Sequence, residues 1–165
     1  MQDKNLFEIV VETLPQGEHR MRVWLALLGC FTSVERTLRK RFASEFQSSL
    51  PRYDVLTTLA QFRDGLTMGQ LAAKLMVTKG NITGVVGRLE SRGYIERTIS
   101  REDRRVQLVT LTTAGRALWK EMHAAYKDVV EDALRGLSDR DAEALARRLT
   151  ETQIEIDRVL LGEGN

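Results

Sequence analysis

Residues 78–115 read TKGNITGVVGRLESRGYIERTISREDRRVQLVTLTTAG, and two periodicities meet inside them. Thr78 is a plausible helix cap, and Ile82, Val85, Val86 and Leu89 follow at i, i+3, i+4 and i+7, one apolar stripe of a helix reaching Ser91. Gly93 is a natural terminator. The period then changes. Tyr94–Ser100 and Val106–Leu111 are rich in Ile, Val, Thr and Tyr and flank a charged tip, Arg101-Glu102-Asp103-Arg104-Arg105. That pattern predicts a hairpin whose loop is longer than the tight two-residue type. Upstream, Thr67-x-x-Gln70 has the form of a capping box, opening a short helix over Met68–Leu75 that breaks at Met76-Val77. Two short helices with a tight connection let the first brace the second against a partner. The stretch reads as a helix-turn-helix followed by a wing.

Longer helices surround it. From about Glu18 to Phe46, the positions Trp24, Leu28, Phe31, Leu38 and Phe42 recur at helical spacing. Leu50-Pro51 ends that run, and a helix over Pro51–Gln61 with Tyr53, Leu56, Leu59 and Ala60 on its apolar face closes at Asp64-Gly65. A helix over Thr113–Leu134 carries Leu118, Met122, Ala125 and Val129. Ser138-x-x-Asp141 opens the last helix, whose Ala142, Leu145, Leu149, Thr152, Ile156 and Val159 approach a coiled-coil seam. The expected fold is mainly α: a winged helix-turn-helix with N- and C-terminal dimerisation helices. One domain, 1–165, fits the length, with the winged lobe over 51–112 and dimerisation helices over 18–46 and 113–161. Those terminal seams are too continuous for a small lobe to cover, and pairing with a second copy would bury them.

Composition narrows the classes. The chain has 165 residues, 42% hydrophobic and 29% charged, as in ordinary globular proteins. Its longest apolar stretch, Val23–Phe31, falls far short of the ~20 residues that span a bilayer. Asp3, Glu8 and Glu12 stand where a secretory signal needs basic and then apolar residues, so a cytoplasmic location is expected. The single Cys30 excludes an internal disulfide and a multi-thiolate metal site. The net charge of +2 is uneven: residues 67–120 hold ten basic against four acidic side chains, and residues 121–165 hold six against eleven. A polyanion would meet the middle of this chain and avoid its end.

If the stripe of residues 82–89 faces inward, Lys79, Gly80, Thr83, Gly84 and Gly87 face outward. A small, polar face with one long cation suits insertion into a major groove ~12 Å wide. Lys79 suits a guanine edge or a phosphate, Asn81 an adenine or the backbone, and Thr83 a base edge or a thymine methyl. Three glycines in a helix cost roughly 1 kcal/mol each relative to alanine, which close approach of a partner would explain. A solvated helix face with incidental glycines is the plainer alternative. At the hairpin tip, Arg101, Arg104 and Arg105 suit a narrow minor groove, and Asp103 beside them suits holding one guanidinium by a bidentate pair. A charged turn kept soluble by mixed signs is the alternative there.

The run Asp103-Arg104-Arg105-Val106-Gln107-Leu108-Val109-Thr110-Leu111-Thr112-Thr113-Ala114-Gly115 resembles the wing signature of the MarR/SlyA family, D-x-R-x-x-x-V-x-L-T-x-x-G. Leu71-Ala72, Thr78, Ile82-Thr83 and Leu89 to Arg97 resemble the same family's recognition helix entering its first wing strand. The resemblance implies a homodimeric winged-helix regulator, usually a repressor, that holds a palindromic operator and releases it when a small ligand arrives. It implies that Arg105 is the minor-groove arginine, that Asp103 orients it, and that Thr78, Lys79, Asn81 and Thr83 face the groove. Many members have a long side chain where this chain has Gly84, so base readout shifts to Lys79 and Arg88 or the sequence preference changes. Two recognition helices in a two-fold dimer meet major-groove faces ~34 Å apart, which predicts a pseudo-palindromic operator.

In similar proteins the ligand pocket lies between the dimerisation helices and the DNA-binding lobe, which makes Arg20, Trp24, Leu28, Phe31, Tyr53, Leu56, Trp119, His123 and Tyr126 candidates here. An aromatic acid, or its coenzyme A thioester, suits such a lining, with Arg20, Arg22 or His123 near the polar end; ordinary core packing is the alternative for each residue. The cluster Arg36, Arg39, Lys40, Arg41 suits phosphates of DNA or of a coenzyme A thioester, or a solvated helix end. Redox sensing through Cys30 is a weaker reading, because its apolar neighbours would keep the thiol inert. An effector-independent architectural DNA-binding factor is a further alternative. His19, His123 and Cys30 have no metal-ligand spacing, no phosphate loop follows a strand, and no nucleophile stands in a recognisable motif. Neither a metal, a cofactor nor an enzymatic activity is expected.

Overall fold

The computed structural model describes residues 6–100 and 103–162, and the chain forms two units, residues 1–129 and 130–165. The element order is α1 (Leu6–Thr13), α2 (His19–Phe46), α3 (Leu50–Gln61), α4 (Met68–Lys74), α5 (Lys79–Ser91), β1 (Ile95–Ile99), β2 (Gln107–Leu111), α6 (Thr113–Leu134) and α7 (Asp139–Ile156), with a π-helical turn over Asp157–Leu161. This is the mainly helical winged fold that the sequence predicts.

Local chemistry sets the boundaries. Thr67 and Gln70 form the reciprocal capping box, the Gln70 amide donating to Thr67 Oγ1 at 3.2 Å and the Thr67 amide to Gln70 Oε1 at 2.9 Å. Thr78 caps α5 by accepting from the Asn81 amide, and Ser138 caps α7 by accepting from the Asp141 amide. Pro51 sits in the first turn of α3, where a missing amide hydrogen costs nothing. The strands pair antiparallel, with Ile95 opposite Leu111 and Ile99 opposite Gln107.

The core of the first unit gathers Leu38 and Phe42 of α2, Tyr53, Val55, Leu56 and Leu59 of α3, Leu71 and Ala72 of α4, Ile82, Val86 and Leu89 of α5, Ile95, Val109 and Leu111 of the hairpin, and Met122, Ala125 and Val129 of α6. Each fully buried aliphatic or aromatic side chain contributes about 1.5–3 kcal/mol, which fixes α5 against α3 and α4 more firmly than its glycine-weakened propensity would. Val85, expected inside, is only partly buried.

Three features differ from expectation. The helix α1 is not anticipated; it packs Phe7 against Gly29, where an added Cβ would lie 3.3 Å from the Phe7 Cβ. The Arg22 guanidinium donates to the Leu14 carbonyl just past its end. Leu66 adds a third edge to the wing through paired bonds with Val109, of 3.1 and 2.8 Å. Finally, the N-terminal half of α2 does not contribute to the core: Trp24 is 55% and Phe31 65% exposed. In the second unit, α7 buries no residue, and Leu145, Ile156 and Val159 are exposed.

Candidate nucleic-acid interface

With Ile82, Val86 and Leu89 buried, α5 turns Lys79, Gly80, Asn81, Thr83, Gly84 and Arg88 outward, all of them exposed. Neither Gly80 nor Gly87 would bring a Cβ within 3.4 Å of anything, and over Gly84 the nearest atoms are the Arg88 guanidinium nitrogens at 3.8 and 3.9 Å. Arg88 therefore lies back across Gly84, in the space a long side chain would fill. The Lys79 side chain passes over the first turn of α4, its Cε 3.3 Å from the Cβ that Gly69 lacks. Thr83 donates its hydroxyl to the Lys79 carbonyl at 2.7 Å, which leaves its methyl and the acceptor lone pairs of its oxygen for a partner. Asn81 has a second environment: with Pro51, Asp54, Val55, Leu75, Val77, Ile82 and Val85 it lines a cleft of about 270 Å³ between α5 and α3.

The wing is fastened to this helix by contacts with no local sequence signal. Arg97 Nε on β1 donates to both carboxylate oxygens of Glu90 on α5, at 3.2 and 3.1 Å. The Thr112 hydroxyl donates to the Gly93 carbonyl at 2.7 Å and accepts from the Gly115 amide at 3.0 Å, which joins the hairpin's end to the start of α6. At Gly115 a Cβ would fall 1.8 Å from the Tyr94 carbonyl oxygen, so only glycine fits. Arg104 and Arg105 are exposed at the tip. Asp103 takes a different partner from the one expected. Its carboxylate accepts from the Arg105 backbone amide at 2.9 Å and its carbonyl from the Val106 amide at 2.9 Å, and no guanidinium pairs with it among the described residues. A short side chain two residues back closes an Asx turn more readily than it reaches a neighbouring arginine's distal nitrogens. Arg101 lies outside the described residues.

The expected ligand residues separate. Tyr53, Tyr126, His123 and Trp119 form a stacked row, with Tyr53 5.1 Å from Tyr126 and Trp119 5.3 Å from His123, and the Tyr53 hydroxyl meets His123 Nδ1 at 2.8 Å. Burial raises the Tyr53 phenol's pKa, against a smaller lowering by the Thr57 hydroxyl. Leu56 is fully buried and packs as core rather than facing a cavity. A cleft of about 230 Å³ opens beside the row, lined by Phe31, Val34, Glu35, Leu38, Arg39, Leu50, Pro51, Asp54 and Tyr126. Arg20, Trp24, Leu28, Tyr53, Trp119 and His123 do not line it, because the first three lie nearer the N-terminus of α2 and the last three continue the row beyond Tyr126; Arg20 faces a separate depression over Gly17–Met21. Of the basic run on α2, Arg39 pairs with Glu35 at 2.7 Å, and Arg41 binds Glu45, Asp128 and the Ala125 carbonyl, which locks α2 to α6. The Glu45 hydrogen bond leads the effects that raise the Arg41 pKa. Cys30 is exposed rather than sheltered, on a stretch of α2 where Leu27 and Phe31 are exposed too. Among the described residues no group of three or more His, Cys, Asp or Glu is placed to hold a metal, and no helix is long and apolar enough to cross a membrane.

Comparison with known proteins matches this geometry. The model of the MarR family matches residues 49–106. Across 118 residues, 67% of this chain and 67% of the relative, the sequence is 30% identical to the transcriptional activatory protein BadR of Rhodopseudomonas palustris. Other curated relatives are matched over less of their length, 61% for an HTH-type transcriptional regulator of Bacillus cereus. Among solved structures, CouR from Rhodococcus jostii bound to p-coumaroyl-CoA superposes with a TM-score of 0.70 at 23% identity, over 79% of this chain and 90% of that one. The Staphylococcus aureus MepR–DNA complex superposes with a TM-score of 0.69 at 20% identity, over 80% and 94%. These two likenesses speak to the fold.

Proposed function

Because the chain belongs to the MarR family of winged helix-turn-helix transcriptional regulators, we propose that it is a homodimer that holds a pseudo-palindromic DNA operator and releases it when a small ligand binds. One observation carries the DNA reading. The exposed Lys79–Gly84 face of α5 and the arginine-bearing wing are one braced body, joined by the Glu90–Arg97 pair and the Thr112–Gly93 bond. In that reading Lys79, Thr83 and Arg88 address the major groove from a helix whose glycines admit close approach, and Arg105 enters the minor groove from a loop set by Asp103. A second copy covers the exposed Met21, Val23, Trp24, Leu27 and Phe31 of α2. The protein represses wherever its operator overlaps a promoter; operator placement, a property of the DNA, decides the sign.

The cleft beside Tyr126 supports the thioester over the free acid. Its charged lining is Glu35 and Arg39, already paired with each other, and Asp54, whose pKa is raised by burial. A ligand carboxylate entering there would meet two acidic groups and a cation already engaged. An aromatic acyl thioester presents a neutral carbonyl instead, and its coenzyme phosphates stay outside. The test is a footprint and a titration. The protein should protect two half-sites one helical turn apart on a duplex it selects from a random pool, and benzoyl-coenzyme A should release that duplex where benzoate and coenzyme A alone do not. A single protected half-site from a monomeric species would refute the dimer. Release by benzoate at equal concentration would refute the thioester.

A further inference from the structure

We propose that Arg52 and Arg92, bordered by Arg88 at the edge of the groove face, form a phosphate clamp that grips the duplex backbone where α2, α3 and α5 meet. The proposal rests on the DNA-binding reading above and adds a contact that it does not include.

The clamp is built on one oxygen. Arg52, in the first turn of α3, donates Nη1 to the Gln47 carbonyl at 3.0 Å, and Arg92, the cap residue of α5, donates Nη1 to that same carbonyl at 3.4 Å. Gln47 ends α2 in the left-handed region, φ 46°, which turns its carbonyl out toward the two guanidinium groups. Arg88 stands one turn before Arg92. After burial, the charges of Arg92 and then Arg88 lower the pKa of Arg52, the mark of three cations held close together. No carboxylate among the described residues forms an ion pair with any of the three. Arg39, Arg41 and Arg97, by contrast, each find a carboxylate within 3.3 Å.

Helix capping alone does not account for this. A helix C-terminus presents about half a negative charge, which one arginine satisfies. Three guanidinium groups leave about two and a half positive charges uncompensated. Holding them together is unfavourable unless an anion arrives, and a phosphodiester supplies one negative charge with two free oxygens, matched to paired guanidinium donors. A duplex is the fitting source. Arg88 is on the exposed face of α5 and lies across Gly84, so a strand bordering the groove that α5 enters passes beside Arg92 and Arg52. Docking of α5 presents that phosphate at a high effective concentration, whereas free phosphate has only the three side chains to hold it.

The experiment uses the full chain, a duplex selected by the wild-type protein from a random pool, and an unselected duplex of equal length, with affinity measured between 50 and 200 mM salt. Arg52→Gln and Arg92→Gln should each weaken binding about tenfold on both duplexes, because a phosphate contact carries no sequence information. The slope of log affinity against log salt should fall by about 0.9 for each phosphate that the variant no longer neutralises. Arg52→Lys and Arg92→Lys keep the charge and should retain most of the slope, which separates removal of charge from a damaged α2 terminus. Unchanged affinity and slope in the Arg52→Gln, Arg92→Gln double variant, with Arg105→Ala still weakening binding, overturns the clamp. If Arg105→Ala and Lys79→Glu also leave binding unchanged, the DNA-binding reading itself fails. If inorganic phosphate or coenzyme A at fixed ionic strength stabilises the wild type but not the double variant, while duplex affinity is the same in both, the site serves free phosphates and the assignment to duplex is overturned.

Discussion

Replacing Gly80, Gly84 and Gly87 together with alanine separates the protein's stability from its approach to DNA. None of the three has a positive φ, so an alanine meets no backbone strain. Space is also available: the nearest atom to an added Cβ is Thr78 Oγ1 at 3.9 Å for Gly80 and an Arg88 nitrogen at 3.8 Å for Gly84, and nothing lies within 4 Å for Gly87. With neither clash nor strain, each substitution recovers the conformational entropy that glycine loses in a helix, about 0.5–1 kcal/mol. Gly80, one residue into the helix, gives the least. The triple variant should therefore gain about 2 kcal/mol, read as a higher urea midpoint at unchanged m, or a melting temperature raised by about 4–8 °C. Duplex affinity should move the other way, falling tenfold or more, because methyl groups then stand on the face that enters the groove. A variant that is more stable and binds DNA as well as the wild type refutes close approach as the reason for the glycines. A variant that is less stable refutes the reading of free space around them.

Gly115→Ala is the opposite case: the 1.8 Å approach to the Tyr94 carbonyl forces the hairpin and α6 apart, and a loss of about 3 kcal/mol or more is expected in urea unfolding. Asp103→Ala removes the acceptor of the Arg105 amide on an exposed loop, so duplex affinity should fall in an anisotropy titration while the unfolding midpoint stays within about 0.5 kcal/mol of wild type. Asp54 has a folded pKa above its ordinary value because burial disfavours the anion, so its ionisation costs stability as pH rises through the carboxylate range and above. Asp54→Asn should accordingly be more stable than wild type at pH 7, with the difference vanishing on acidification below the ordinary carboxylate pKa, as followed by melting temperature against pH.

What the sequence shows plainly is what acts over four residues. The caps at Thr67, Thr78 and Ser138 are each a side chain bonding an amide three residues on, and the stripe of Ile82, Val86 and Leu89 is set by helical pitch. Interactions that close over longer separations leave no such trace. Glu90 meets Arg97 across the Gly93 turn, Leu66 meets Val109 over more than forty residues, and Arg52 and Arg92 converge on Gln47 from two helices. The helix α1 is hidden for another reason: it is only 8 residues long, too short to show a period, and α2 packs beside it. Asp103 shows how a residue singled out in the sequence takes an unexpected partner, because charge pairing suggests its neighbours' guanidinium groups while chain geometry favours the backbone amide. The cleft proposed for a ligand is the least legible part. Aromatic spacing marks Tyr53, Trp119 and His123 equally, and only the packed structure shows that these three pack within the row while Phe31 and the row's outer member, Tyr126, border open space.

The braces around the wing root bear on how a ligand would act in the regulator proposed above. The Glu90–Arg97 pair, the Thr112–Gly93 bond, the Leu66–Val109 bridge and the close seat of Gly115 on Tyr94 tie α5, the hairpin and the first turn of α6 together. Bending that body from within means breaking several of these interactions at once. A ligand in the cleft between α2, α3 and Tyr126 touches none of them, but it borders the helices that carry the body. The softer coordinate is the separation of two such bodies in a dimer, and an operator with half-sites about 34 Å apart reads that separation. A hundredfold loss of affinity needs a ligand to prefer the wrong spacing by only about 2.7 kcal/mol. That is comparable to burying one aromatic side chain, which a single acyl ring in this cleft would supply. Cross-linking the braces, for example by joining β1 to α5, should therefore leave ligand-driven release intact; abolished release with DNA binding preserved would show that the winged body itself must deform.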